Sequence, residues 1–110
     1  MIIDSSNNIS ILTQEKLDIL DFITQISERY DKLKSNNLVI NLLSFNGINS
    51  EDITKFLSLS NSHRELNKSF VIVAQDIDYD AISEELVLVP TLQEAYDMIE
   101  MESIERDLGL

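Results

Sequence analysis

Two kinds of apolar spacing alternate along the chain. Ile2–Ile3 and Ile9–Ile11 are short β-branched runs on either side of Asp4-Ser5-Ser6-Asn7-Asn8, a cluster of turn-forming residues, and together they predict a hairpin. From Glu15 to Lys34 the residues Leu17, Leu20, Ile23, Ile26, Tyr30 and Leu33 recur every three or four positions, which predicts a helix with that face inward, widened by Ile19 and Phe22. Ser35-Asn36-Asn37 ends it. Leu38–Leu43 (LVINLL) is then apolar nearly throughout, as a strand covered on both faces of a parallel sheet must be.

The same alternation repeats to the end of the chain. Asn49 or Ser50 can cap a helix running to about Leu66, with Glu51 and Asp52 in its first turn, where negative charge suits the helix dipole, and with Ile53, Phe56, Leu57 and Ser60 inward. Phe70–Ala74 (FVIVA) is a second buried-strand pattern, Asp76–Glu85 an acidic connection, and Leu86–Val89 (LVLV) a third such strand closed by Pro90. Thr91 and Glu94 have the spacing of a capping box, followed by Leu92, Ala95, Tyr96 and Ile99 on one helical face. The order ββαβαβ(α)βα predicts one α/β domain spanning residues 1–110, with a mixed, mostly parallel sheet of four or five strands, Leu38–Leu43 central.

Composition narrows the chemistry. Twenty acidic against eight basic side chains give a net charge of −12, which repels phosphate backbones and anionic lipid, so neither nucleic acid nor a membrane is an expected partner. Most of this charge lies late in the chain, with 9 acidic and 7 basic residues up to position 75 and 11 against 1 beyond it. There is no cysteine, and Met1–Ser10 lacks the charged and apolar segments of a secretion signal, so a cytoplasmic, soluble domain is expected. Gly47 and Gly109 are the only glycines, so neither a P-loop nor a dinucleotide fingerprint can be written. No cofactor is expected.

The single histidine, His63, stands late in a helix, where a surface position beside the helix C-terminus is the simplest reading. A small hydrolase or RNA-processing factor built on His63 and nearby carboxylates is the alternative. A zinc nuclease such as ribonuclease Z needs a cluster of His and Asp ligands that one imidazole cannot supply. Asp76-Ile77-Asp78-Tyr79-Asp80 opens like a calcium loop, but Ala81 and Val87 stand where that loop needs Gly and Glu, which leaves a solvated loop.

Residues 38–100 resemble the STAS domain, the fold of bacterial anti-sigma factor antagonists and of the cytoplasmic parts of some transporters. In that family a buried strand ending in Asp-Leu-Ser leads to an Asp-Ser-Ser/Thr-Gly-Leu-Gly turn that opens a helix. Here Asn41-Leu42-Leu43-Ser44-Phe45-Asn46-Gly47-Ile48 is similar to the strand and loop, and Asn49-Ser50-Glu51-Asp52-Ile53-Thr54 to the turn. The resemblance implies a non-catalytic regulatory module that binds another protein, an anti-sigma kinase or a transporter subunit, through Asn49, Ser50, Glu51, Asp52, Thr54, Lys55 and Ser58. It also implies a lost phosphoswitch. Glu51 stands at the family's phosphorylated hydroxyl, and Asp52 and Thr54 stand at its glycines, leaving Ser50 as the one hydroxyl of the pair. Nucleotide or lipid binding without turnover is a third reading, opposed by the carboxylates of Glu51 and Asp52 at the helix start.

Overall fold

The computed structural model describes residues 1–14 and 18–109. Five strands form one sheet in the order of the chain: β1 (Ile2–Ser6), β2 (Ile9–Thr13), β3 (Asn37–Asn41), β4 (Phe70–Val73) and β5 (Val87–Val89). β1 and β2 pair antiparallel and all later neighbours pair parallel, so β3 is central as expected. The hairpin turn is Asn7-Asn8 alone, both residues at positive φ (52° and 68°), the backbone that matches a two-residue turn to the twist of its strands. Asn tolerates that region better than other side-chain-bearing residues.

The helices divide by face. α1 (Ile19–Glu28), α2 (Tyr30–Leu33), α3 (Ser50–Thr54) and α4 (Leu57–Glu65) fill the connections before β3 and β4, and α5 (Leu92–Asp107) follows β5. Ile19, Phe22, Ile26, Leu33, Ile53 and Phe56 close one core against Leu12, Leu38, Ile40, Phe70 and Ile72. Ile77 and Leu86 from the β4–β5 connection, which carries a 3-10 turn at Tyr79–Ala81, join that same core. Parallel crossovers of one hand that always step to the next neighbour place every connection on one face. The opposite face, Val39, Val71, Val73 and Val89, is covered by Ala95 and Ile99 of α5. Apolar residues at consecutive strand positions therefore serve two cores, which is why the β3 and β4 sequences do not alternate.

Several expectations are corrected. The first helix breaks at Arg29 into α1 and α2, and the part expected at Glu15–Leu17 lies outside the described residues. Its inward face is centred on Ile19, Phe22 and Ile26, leaving Leu20 59% exposed. The helix expected from Asn49 to Leu66 is two: after Thr54 the backbone tightens, Lys55 N–H donating to Asp52 O and Phe56 N–H to Ile53 O, before α4 begins. Ile53 and Phe56, three positions apart and so on one helical face, both reach the core as expected. Tyr96, expected on the inward face of α5, is 40% exposed.

Candidate functional site

β3 ends at Asn41, whose side-chain carbonyl accepts from Leu43 N–H, and the chain crosses to α3 through Ser44–Ile48. Gly47 sits at φ +70° in this loop, a backbone that a Cβ would strain even though the space around it is open. Phe45 anchors the loop by stacking on Phe22 at a 6.3 Å centroid distance, and Phe22 in turn meets Phe56 edge-on. The N-cap of α3 is Asn49, not Ser50. Its Oδ1 accepts from Asp52 N–H at 3.0 Å while Asp52 Oδ2 accepts from Asn49 N–H at 3.2 Å, a reciprocal capping box.

The residues expected to bind a partner are thus brought together, with divided duties. Asn49 and Asp52 hold the helix start, and Lys55 reaches back to Asp52 at 3.6 Å. Thr54 donates its hydroxyl to Ser50 O at 2.9 Å, closing the short helix. Ser50 is half-buried as the first helical residue, whereas Glu51, Thr54, Lys55 and Ser58 are exposed. Glu51 alone of the helix-start residues directs an unpaired charge to solvent among the described contacts. Replacing Asn49 with Ala removes one half of the box and is expected to cost about 1 kcal/mol, measurable as a shift in urea midpoint without a change in slope.

A cavity of about 440 Å³ opens beside this turn, lined by Leu42, Phe45, Asn46 and Ile48 from the β3 side and Gln75 and Asp76 from the β4 side. It lies at the carboxyl ends of the neighbouring parallel strands β3 and β4, between the loops that leave them. The sequence holds a faint signal for it. Gly47 and Asp76, the residues with left-handed backbone after β3 and β4, mark where both loops turn sharply away from the sheet.

His63 contradicts the surface reading. It is fully buried between Tyr30 and Phe70, both edge-on to the imidazole, and each ring nitrogen has a partner. Nε2 lies 2.8 Å from Asn36 O, an acceptor only, so Nε2 carries the proton and Nδ1 accepts from the Tyr30 hydroxyl at 2.7 Å. Burial lowers the His63 pKa, opposed by the bond to the Asn36 carbonyl and reinforced by Lys68 and Arg64. Neither nitrogen is free to take a substrate proton, so a mechanism through His63 has no geometric support here.

The acidic connection is a folded turn. Asp78 accepts from Asp80 N–H, capping the 3-10 turn, and among the described residues no three His, Asp or Glu side chains converge as a metal site would need. No described helix is long and apolar enough to cross a membrane. No protein-family model matches the chain, and no curated protein is found to be similar to it.

Proposed function

We propose that this chain is a STAS-like regulatory module without catalytic activity, which binds another protein through α3 and its flanks, Asn49 to Ser58, and which lacks the phosphoswitch of switchable relatives. The observation that carries the reading is Glu51, an exposed carboxylate one residue into a rigidly capped helix that follows the central strand. In the resemblance this is the phosphorylated position. A carboxylate there supplies a permanent negative charge of smaller magnitude than a phosphate, so the partner meets one constant state. The central strand β3, the loop after it and α3 support the reading, because they follow the strand, loop and turn-to-helix order that the resemblance implies. The partner is an anti-sigma kinase-like protein or a transporter subunit.

The test is charge reversal. Glu51→Lys is expected to abolish recovery of the native partner in affinity capture, a loss on the order of a few kcal/mol where the charge is desolvated, with Glu51→Ala intermediate. Incubation with a kinase of the partner class and ATP is expected to leave position 51 unmodified, and Glu51→Ser is not expected to restore efficient phosphorylation, since Asp52 and Thr54 still occupy the glycine positions. Unchanged capture by both Glu51 variants would refute α3 as the recognition surface. Stoichiometric phosphate on Ser50 would refute the lost switch.

A further inference from the structure

α5 carries more apolar surface than the sheet uses. Ala95 and Ile99 point into the core, yet Met101, Ile104 and Leu108, spaced three and four residues apart, form a second stripe on the solvent side, 48%, 53% and 67% exposed. This is the a–d–a spacing of a coiled-coil seam. With Met101 and Leu108 at a and Ile104 at d, the flanking e and g positions are Glu100, Glu105 and Asp107, all acidic and all exposed. Glu102 is taken by Arg64 at 3.2 Å, and Arg106 turns inward to Ser69 and Asn37. Among the described residues no cation pairs with Glu100, Glu105 or Asp107. Beside the stripe, Ile104 and Tyr96 line a cleft of about 380 Å³ against Asn8 and Ile9 of the hairpin.

We propose that the outer face of α5 is a docking seam for an amphipathic helix of a partner protein that carries Lys or Arg on both sides of its apolar stripe. Charge chooses the occupant. A second copy of this chain would set Glu100, Glu105 and Asp107 against their own equivalents and bring two bodies of charge −12 together, whereas a cationic helix meets each acid with an opposite charge at the positions that set partner choice in paired helices. The seam covers two helical turns, so binding is weak and salt-sensitive. It lies across the sheet from α3, so this inference and the proposed role of Glu51 fail separately.

The test titrates the ¹⁵N-labelled full chain with three synthetic three-heptad peptides: apolar a and d with Lys at e and g, the same stripe with Glu at e and g, and Lys at e and g with Ser at a and d. The first is expected to shift the amides of residues 97–108 and the other two to leave them in place. Met101→Ser with Ile104→Ser is expected to weaken the first peptide about tenfold or more. Reversal of Glu100, Glu105 and Asp107 to Lys is expected to invert the preference toward the Glu peptide. All five residues are exposed, so melting curves are expected to stay near wild type, and the comparison of peptides on wild type decides the matter even if a variant fails to fold. Equal binding of the Ser-striped peptide, shifts spread evenly over Asp76–Glu85, or no shifts at all would overturn the proposal. A wild-type dimer in sedimentation that the double Ser variant dissolves would overturn it in favour of a second copy.

Discussion

Ile40→Asp is expected to leave the chain without a cooperative unfolding transition at room temperature. Ile40 is fully buried in the middle of the central strand, flanked across the sheet by Leu12 and Ile72, with the α1–α4 layer above it. A carboxylate there loses its water and gains no cation. The charged form is therefore abandoned for the neutral acid, and even that leaves polar atoms unpaired, a cost of several kcal/mol against a total stability of about 5–15 kcal/mol for a domain of this size. Loss of the isoleucine side chain adds to it. Ile40→Val, by contrast, is expected to cost about 0.5–1.5 kcal/mol and to melt cooperatively. Circular dichroism melts of the pair separate charge burial from a general intolerance of change, and an Asp variant melting near wild type would mean that the strand is not seated as described.

The LVINLL reading places the central strand, although β3 spans Asn37–Asn41 and Leu43 lies beyond it, 40% exposed, and the match has a simple physical origin. A strand covered on both faces must be apolar at consecutive positions, and few other arrangements in a short chain produce that pattern. β4 was legible for the same reason, and the caps at Thr91 and at Asn49 or Ser50 because capping depends on residues only three positions away, the structure choosing Asn49. What the sequence withheld was decided by distant partners. The break after Thr54 leaves Ile53 and Phe56 on one face, where a continuous helix would also have put them, and nothing local between Ser50 and Leu66 announces it. Leu20 and Tyr96 have helical spacing compatible with burial, but the rotation of each helix is fixed by the layer beneath it. The cavity at the ends of β3 and β4 exists only once two loops far apart in sequence stand side by side. The place of Glu51 in the first turn of α3, by contrast, follows from the capping residues beside it, while its proposed role comes from the resemblance.

His63 was the largest misreading, and its burial leads to a testable acid sensitivity. The imidazole joins α4 to Tyr30 of α2 and to the carbonyl of Asn36 just before β3, so the group that stabilises it is up to 33 residues away. His63→Ala leaves a cavity, an unpartnered carbonyl and a tyrosine hydroxyl without its acceptor, and is expected to cost about 2–4 kcal/mol. The pH dependence follows from the lowered pKa, whose first cause is burial. Below about 6.5, the ordinary value for histidine, the unfolded chain takes up a proton that the folded chain refuses, so stability falls as pH falls until the folded pKa is reached. The slope from this one site is at most about 1.4 kcal/mol per pH unit. Protonation in the folded state would require Nδ1 to donate where it now accepts, forcing the Tyr30 hydroxyl to turn, while Lys68 and Arg64 add repulsion. His63→Gln removes the titrating group but leaves the surface carboxylates, so the difference in melting temperature between wild type and variant is expected to shrink steadily from pH 7 to pH 5. A constant difference across that range would mean that His63 titrates alike in both states, and the buried hydrogen-bonded imidazole would then be the wrong description.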